Sequence, residues 1–408
     1  MPLLAQLGFD QLIQAAGYPG SERVPATQSL LSLLTLKLLD KERLSHVDDF
    51  NFDPALGWFA GLNVLPKKSF AVDYSYRTIR DSNEQLLSGW MKRLGPLLLP
   101  DASSFNLDFH AIPHRGVDNE LETHWAPCRG RALPSVLSFF AQERESQVFC
   151  YANADLLRED QPGAAMRFVE YWRALTGKDP ARLFFDSRLT TYAELNRLNQ
   201  RGVTFTTIRR RGPRLVERLL ERPAGDWSNA WIRPGSGRRR RMRYLDDQIA
   251  LRDYDGEIRQ LCVTGLGRDQ PTLLITNDVE TSPRELMTGY ARRNGIEDGL
   301  GTCVNFFHLD CLSSEVRLNA DLDATLTVIA QGCYRWLASR LRGFECSAPK
   351  QLFRRFVSTP GRVAFHSDRV EVCFERRACN PVIRSSELAS GEQPIPWLGN
   401  LPLSFRFR

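Results

Sequence analysis

The chain has 408 residues, of which 42% are hydrophobic and 25% charged, and its formal net charge at pH 7 is +6. This composition is typical of a globular protein with room for two or three domains. No apolar run approaches the roughly 18 residues of a membrane span, and the amino terminus shows no secretion signal, so we predict a cytoplasmic protein with no membrane partner.

The nine cysteines do not suggest a zinc ribbon or a disulfide framework. No two of them form a C-x2-C pair, and their number is odd. Several lie in apolar, strand-like runs, where a free thiol packs as a small hydrophobic group. We therefore expect any bound metal ion to be held by carboxylates.

The first hundred residues carry apolar side chains at helical spacing. Leu30, Leu31, Leu34 and Leu38 recur three and four residues apart, and residues 76–97 repeat the pattern. We therefore predict a helical N-terminal region over residues 1–102, without a helix-turn-helix signature.

From residue 104 the apolar pattern changes to a period of two. Phe105, Leu107 and Phe109 alternate with polar residues, which predicts a strand that carries Asp108 on its other face. Residues 134–140 and 147–152 are two further strand candidates.

Helices and strands then alternate. A helix over residues 164–175, an apolar strand that ends at Asp186, a helix over 191–200 and a strand over 204–208 follow in order. This succession predicts an α/β fold with a mixed sheet and flanking helices. Its pattern resumes at residues 272–276 with a strand and from Pro283 with a helix, so we assign this domain to residues 103–208 and 271–345.

Residues 209–270 interrupt the domain with short strands and an Asp-Gly turn, which predicts a β-rich insertion. Residues 201–243 hold thirteen arginines and three acidic residues, a local net charge of +10 that leaves −4 for the rest of the chain. Such a segment is either a solvated basic loop or, as we favour, a surface for a polyanion such as DNA. The candidate DNA-binding arginines are Arg209, Arg210, Arg211, Arg214, Arg238, Arg239, Arg240, Arg241 and Arg243.

The last segments are helical and then hairpin-like. A long helix over residues 321–341 precedes a C-terminal extension, residues 346–408, with a hairpin predicted from strands at 362–365 and 370–374.

Three carboxylates stand out, each with an ordinary alternative explanation. Asp108 lies either at a functional site or on a solvated strand face. Asp186 ends a buried strand, where open α/β sheets place ligands, but a helix cap is equally plausible there. Tyr290, Arg293 and Glu297 are spaced to share one helical stripe, and a surface Arg–Glu pair at that spacing is common.

The three sequence blocks around these carboxylates resemble the active-site blocks of DDE transposases of bacterial insertion sequences. The blocks read Asn-Leu-Asp-Phe-His-Ala-Ile-Pro-His around Asp108, Leu-Phe-Phe-Asp-Ser-Arg around Asp186, and Tyr-Ala-Arg-Arg-Asn-Gly-Ile-Glu up to Glu297. The last matches the Y-x2-R-x3-E signature of one large subgroup. Asp186 follows Asp108 by 78 residues and Glu297 follows Asp186 by 111. The similarity covers residues 105–341.

The resemblance implies a ribonuclease H-like catalytic domain that binds two Mg²⁺ ions, or Mn²⁺ in their place, through Asp108, Asp186 and Glu297. It implies cleavage of transposon ends, followed by attack of the freed 3′-hydroxyl on target DNA, with a DNA hairpin as a possible intermediate. The resemblance implies double-stranded DNA as the partner, with Tyr290 and Arg293 as DNA-binding residues. It also implies a dimer on paired DNA ends and a location at the nucleoid.

The family also uses an aromatic residue of the insertion to stack on an extruded base. Trp227 and Trp231 are the candidates here, although two tryptophans four residues apart are more often core residues. One position departs from the family pattern, since Val304 stands where the signature has a DNA-contacting lysine. His308, four residues further along the predicted stripe, is a candidate substitute.

Two other functions therefore stay open besides an active transposase. One is a domesticated or inactive relative that binds DNA without moving it, which Val304 favours. The other is a nuclease of the same fold that cuts without joining.

Overall fold

The computed structural model describes residues 1–42, 44–50, 53–113, 121–126, 130–186, 190–233, 239–265, 270–309, 317–389 and 392–408. The catalytic candidates all lie within these ranges. Arg238, one of the predicted DNA-binding arginines, lies outside them.

Short helices build the N-terminal region. They are α1 Pro2–Gln6, α2 Phe9–Ala15, α3 Ala26–Leu38, α4 Pro54–Phe59, α5 Lys68–Ser75 and α6 Arg80–Leu98. Leu30, Leu31 and Leu34 of α3 are fully buried, as are Leu86 and Trp90 of α6. The helical spacing of these side chains therefore marks the faces that form the core.

A large mixed sheet follows. Its strands are β1 Ser104–Pro113, β2 Thr123–Ala126, β3 Arg131–Glu143, β4 Phe149–Leu156, β5 Arg182–Phe185, β6 Thr204–Ile208, β7 Ser228–Ile232, β8 Arg240–Ala250, β9 Glu257–Thr264 and β10 Thr272–Thr276. Within the described ranges these ten strands form one sheet in the order β2-β3-β1-β5-β6-β10-β9-β8-β7, with β4 on β3. The predicted mixed α/β class with flanking helices is thus confirmed.

The central strands run both parallel and antiparallel. β1 is antiparallel to β3 and parallel to β5, β5 is parallel to β6, and β6 is antiparallel to β10. Helices α7 Ala164–Thr176 and α8 Tyr192–Gln200 make the crossovers from β4 to β5 and from β5 to β6. Parallel strands need such crossover connections, which is why strand-like and helical patterns alternate in this part of the sequence.

Each face of the central strands is covered by helices. Phe105 of β1 contacts Phe168 and Trp172 of α7, with ring centroids 5.1 and 4.5 Å apart. Helices α10 Pro283–Ala291 and α11 Asn294–Asn305 lie on the opposite face. There a Cβ at Gly299 would come within 2.6 Å of the Gln142 side chain, so α11 needs a glycine to pack this closely on the sheet.

The predicted β-rich insertion extends the same sheet. Strands β7, β8 and β9 continue outward from β10, and helix α9 Pro213–Leu220 packs on one face of them. Leu219 of α9 meets Leu245, Cys262 and Leu273 there. The other face, which includes Met242, packs on α10 in a separate apolar cluster.

Helix α12 Arg317–Arg340 joins the N-terminal helices to the sheet. Two buried ion pairs fix it: Lys37 Nζ lies 2.7 Å from Asp323 Oδ1, and Arg80 Nη1 lies 2.6 Å from Asp321 Oδ1. Asp321 also accepts hydrogen bonds from Asn83 Nδ2 and the Ala154 amide, both at 2.8 Å. This buried carboxylate therefore connects α6, β4 and α12.

The C-terminal extension forms its own small sheet. After α13 Pro349–Leu352, the strands are β11 Gly361–Phe365, β12 Val370–Phe374, β13 Gln393–Ile395 and β14 Leu401–Phe407, with α14 Asn380–Arg384 between β12 and β13. β11 and β12 form the predicted hairpin. Among the described residues, no helix has the length and apolar character that a membrane crossing requires.

Candidate active site

The first two candidate carboxylates lie side by side on the sheet. Asp108 is in the middle of β1, and Asp186 directly follows β5. The parallel register pairs Asn106 with Phe184, so two residues further along each strand Asp108 and Asp186 reach the same face. Thr191, not Asp186, caps the next helix, α8, by accepting the Glu194 amide at 3.3 Å. The helix-cap interpretation of Asp186 is therefore wrong.

Asp108 is a largely buried carboxylate, with 19% of its side chain exposed. Its Oδ1 accepts the Phe109 amide at 2.9 Å and its Oδ2 accepts Arg293 Nη1 at 3.2 Å. Burial raises the pKa of Asp108 to about 6, and the negative charges of Glu297 and Asp186 add to the rise against the opposing effect of Arg293. Burial therefore outweighs the Arg293 guanidinium in its effect on the pKa of Asp108.

Arg293 connects the carboxylates. Its Nη1 donates to Asp108 and its Nη2 to Glu297, and only 8% of the residue is exposed. Burial disfavours the charged form, but Tyr290 and the three carboxylates outweigh burial and raise the pKa of Arg293. Its buried Nε has no hydrogen-bond partner among the described residues. The guanidinium is therefore the counter-ion of the candidate site.

Tyr290 completes the group from the end of α10. Its hydroxyl lies 3.5 Å from the Phe185 carbonyl oxygen, and the Arg293 guanidinium lies 5.8 Å from its ring centroid. Burial raises the pKa of Tyr290, so the hydroxyl keeps its proton at neutral pH. Tyr290 thus connects α10 to the end of β5, next to Asp186.

The expectation that Tyr290, Arg293 and Glu297 share one helix is wrong. Helix α10 ends at Ala291 and α11 begins at Asn294, with Arg293 as its N-cap. The amides of Arg293, Gly295 and Ile296 bond three residues back instead of four. Asparagine and glycine at the start of α11 are poor helix formers, which favours the break. Arg293 therefore reaches Asp108 and Glu297 from the break between two helices.

The proposed substitution of His308 for the missing lysine is also wrong in its geometry. Helix α11 ends at Asn305, so His308 is not on the stripe that carries Val304. His308 has a left-handed backbone, φ 52°, and its Nε2 lies 2.9 Å from Asp40 Oδ1. It therefore contacts the N-terminal region, and Val304 keeps its place on α11 without this substitute.

The candidate DNA-binding arginines differ in their exposure and in their protein partners. Arg209 donates to Gln260 Oε1 at 2.6 Å and Arg211 to the Pro271 carbonyl at 2.5 Å, so both have protein partners. The side chains that are exposed to solvent are those of Arg210, Arg214, Arg239, Arg240, Arg241 and Arg243, together with Arg211. Four of these exposed arginines lie on β8 or directly before it, at the outer part of the sheet. We call them the basic ribbon: Arg239, Arg240, Arg241 and Arg243.

The two tryptophans differ in environment. Trp231 is 55% exposed and lies opposite Arg241 in the β7–β8 pair, so the core interpretation is wrong for it. Trp227 is partly buried against the cluster of Leu245 and Cys262, and the Arg243 guanidinium lies 5.0 Å from its ring centroid. Trp231 is thus the tryptophan that is available to a ligand.

The donor chemistry at the site suits a hard divalent cation. Carboxylate oxygens are the ligands that Mg²⁺ prefers, and a bound cation would lower the pKa of Asp108, which burial raises. Within the described ranges, no three His, Cys, Asp or Glu residues are grouped to hold a metal ion. In this arrangement Arg293 lies between Asp108 and Glu297, so a cation there would share or displace its contacts.

One neighbour of the site was missed in the sequence. Asn106 is 2% exposed and its Oδ1 has no hydrogen-bond partner among the described residues. It lies two residues before Asp108 and therefore on the same face of β1. Asn106 belongs to the same alternating pattern as Asp108. It was not a candidate because its amide side chain carries no charge.

No protein-family model matches the chain, and no curated protein matches it either. The functional conclusion therefore depends on the geometry of this site and on the resemblance of its three sequence blocks.

Proposed function

We propose that this protein is a DDE transposase, which cleaves transposon ends and joins them to target DNA. The observation that carries the proposal is the contact of the buried Arg293 with both Asp108 and Glu297, beside Asp186 at the end of the neighbouring strand β5. These acids come from segments 78 and 111 residues apart, although as placed the described residues do not form a group of three that could hold a metal ion. A surface Arg–Glu pair, the ordinary alternative for Glu297, would not include a buried aspartate from the central strand.

The fold supports this proposal. Strands β4, β3 and β1 are antiparallel neighbours, and β5 and β6 continue from β1 in parallel. This order agrees with a ribonuclease H-like core, in which acidic residues on the central strand and its parallel neighbour form the active site. Asp108 and Asp186 have those positions here.

Phosphodiester transfer needs an activated oxygen nucleophile and neutralised charge on the phosphate and the leaving oxygen. Two Mg²⁺ ions, with Mn²⁺ as an alternative, would supply these effects, and Asp108, Asp186 and Glu297 are the residues that would hold them. Arg293 orients Asp108 and Glu297 through its two contacts, and in this proposal Arg293 and Tyr290 also contact the DNA. The buried Asp108 must lose its proton before it can act as a ligand.

The basic ribbon supplies the DNA grip in this proposal. Arg239, Arg240, Arg241 and Arg243 are exposed, and their charges would neutralise backbone phosphates. Trp231 stands among them and offers a flat surface for an unstacked base. A dimer on paired DNA ends and association with the nucleoid are parts of the same proposal.

A second candidate function is a DNA-binding relative that no longer transposes. Val304 in place of the family lysine and the Arg293 bridge between Asp108 and Glu297 favour it. A third candidate is a nuclease of the same fold.

One assay separates the three functions. The protein is incubated with Mg²⁺ and a duplex that carries the inverted repeats bordering its gene, and products are resolved on a denaturing gel. Cut and joined products support the transposase, a mobility shift alone supports the DNA-binding relative, and cuts without joining support the nuclease. The absence of both binding and cutting would overturn the whole group of functions.

A further inference from the structure

A second polar feature lies on the same face of the sheet as the carboxylates. It is a cleft of about 740 Å³ between the beginnings of β1, β5 and β6 and one side of α10. Four arginines line it, Arg144, Arg182, Arg284 and Arg292, and we call it the arginine cleft. None of these four was a candidate in the sequence, because they come from three separate segments.

Two arginines of this cleft form only long ion pairs. Arg182 lies 3.8 Å from Asp278 and Arg292 lies 3.7 Å from Glu145, both long pairs with exposed arginines, and such pairs contribute little. Asp278 is already occupied as an acceptor by the Thr281 hydroxyl and amide, at 2.7 and 2.9 Å. Glu285 also lines the cleft, and its carboxylate accepts a hydrogen bond from the Ser282 hydroxyl at 2.7 Å. Four arginines against three acids leave the lining a formal net charge of +1.

Arg144 forms the floor of the cleft in a fixed orientation. Its guanidinium lies 3.6 Å from the centroid of the Phe184 ring, and its Nη2 donates to the Gly289 carbonyl at 2.7 Å. Burial, together with the positive charges of Arg292 and Arg182, lowers the pKa of Arg144 to about 10. A bound anion would relieve the repulsion among these guanidinium groups, and planar guanidinium groups suit phosphate oxygens.

The position of the cleft relates it to the candidate active site. Arg182 begins β5 and Asp186 follows its end, so four residues separate them, roughly 13 Å along an extended strand. For a duplex whose axis runs parallel to β5, that distance corresponds to about four nucleotide steps of roughly 3.4 Å along the axis. α10 borders both features, since Thr288 and Gly289 line the cleft and Tyr290 belongs to the site.

We propose that the arginine cleft binds the DNA backbone about four nucleotides from the phosphate that reacts at Asp108 and Asp186. This inference rests on the proposed action on DNA and adds a positioning surface distinct from the basic ribbon. The cleft holds the flanking backbone and thereby sets which phosphate reaches the carboxylates.

The test uses the full chain and a duplex with the terminal repeat, in which single phosphates are replaced by neutral methylphosphonates one at a time. The variant is Arg182→Ala/Arg284→Ala, since both side chains are exposed and Arg182 has only the long 3.8 Å pair with Asp278. The matched control is Arg252→Ala/Arg362→Ala, which removes the same charge from side chains that are 92% and 74% exposed.

We expect the cleft variant to flatten the slope of log affinity against log salt by about 1.8, which is about 0.9 for each of two lost phosphate contacts. In the wild type, neutral phosphates about four nucleotides from the cleavage point should weaken binding, and in the cleft variant they should not. The control pair should behave as the wild type.

The other outcomes separate the two proposals. If cleavage is normal and each methylphosphonate weakens binding equally in the wild type and in the cleft variant, the cleft proposal is wrong and the transposase proposal is unaffected. Coupling without cleavage would support the cleft and contradict the catalytic proposal. A third outcome is that the wild type binds inorganic tripolyphosphate, that the cleft variant does not, and that both bind the duplex with equal affinity. This result would show that the cleft is a small-anion site and not a DNA surface. A wild type that binds no DNA would overturn both.

Discussion

Arg293 Nη1 lies 3.2 Å from Asp108 Oδ2, so an arginine at the junction of two helices is the counter-ion of an aspartate in the centre of the sheet. The same guanidinium also contacts Glu297. This one side chain ties the helical pair α10 and α11 to β1, and it controls how much negative charge the site carries without a metal ion.

Removing this guanidinium should raise the pKa of Asp108 further. In the wild type that pKa is about 6, and the Arg293 charge is the main effect that lowers it against burial. We expect Arg293→Met to move the Asp108 titration to higher pH in metal-free protein, as followed by carbon NMR of its carboxyl group. Arg292→Met, at the neighbouring exposed arginine, is the control. An unchanged or lower pKa in Arg293→Met would contradict the counter-ion role.

The raised pKa of Asp108 also predicts how stability depends on pH. Because the folded-state pKa is raised from 3.8 to about 6, the stabilisation from the protonated carboxyl is complete below pH 3.8 and is lost as the pH rises through 6. Asp108→Asn mimics the protonated form. In urea unfolding with EDTA present, the free energy of unfolding of the variant should therefore exceed that of the wild type by up to roughly 3 kcal/mol at pH 8.

The gain should disappear near pH 4, where the wild-type carboxyl is itself protonated. Asp368→Asn, at a side chain that is 67% exposed, serves as the control and should show little dependence on pH. A gain from Asp108→Asn that is the same at pH 4 and pH 8 would exclude titration of Asp108 as its source.

Asp186→Asn should abolish DNA cleavage and leave DNA affinity nearly intact. The amide keeps the shape of the side chain at the end of β5 but removes the negative charge that a divalent cation requires. Cleavage and affinity are measured on the same duplex, with Asp253→Asn, at a side chain 62% exposed, as the control. Cutting that persists at saturating Mg²⁺ would remove Asp186 from the active site.

The basic ribbon should bind DNA without regard to sequence. Replacing Arg239, Arg240, Arg241 and Arg243 with alanine should flatten the slope of log affinity against log salt by about 3.6 on two unrelated duplexes. An effect on only one of the duplexes, with the slope unchanged, would mean that the arginines contact base edges. If neither affinity nor slope changed, the ribbon would be a solvated surface.

Asp321→Ala should strongly destabilise the protein. The carboxylate is fully buried and accepts hydrogen bonds from Arg80, Asn83 and the Ala154 amide. Its loss leaves the Arg80 guanidinium with only its 3.3 Å contacts to Glu84 and to the Ala152 carbonyl oxygen. Breaking a buried ion pair costs about 3–5 kcal/mol. Chemical denaturation of Asp321→Ala beside Asp368→Ala measures this difference, and a loss under about 1 kcal/mol would show that water replaces the contacts.

Several elements could be predicted from the sequence at the level of single residues. Strands at 204–208 and 272–276 and a helix from Pro283 have those limits in the structure. Each depends on signals within a few residues, such as the apolar run of a buried strand or the Ser282–Glu285 capping box before α10. Local backbone preferences and burial patterns are enough to determine such elements.

The α10–α11 junction shows where the periodic pattern misleads. Tyr290, Arg293 and Glu297 have helical spacing, yet the helix breaks at Arg292 and Arg293. The break lets Arg293 reach into the sheet while Glu297 starts a new helix over β1. Periodicity records which face is apolar, and it does not record a bend that keeps the same face buried.

The sequence by itself determined the mixed α/β class, most element positions, the basic segment and the three candidate acids with their order. Only the tertiary structure decided that β7, β8 and β9 extend the main sheet, that Trp231 is exposed while Trp227 is not, and that four arginines from distant segments line one cleft. The physical reason is that local pattern reports burial and backbone preference over a few residues. Strand pairing and helix packing bring together side chains that are far apart along the chain, and the charge of a site arises only from that assembly.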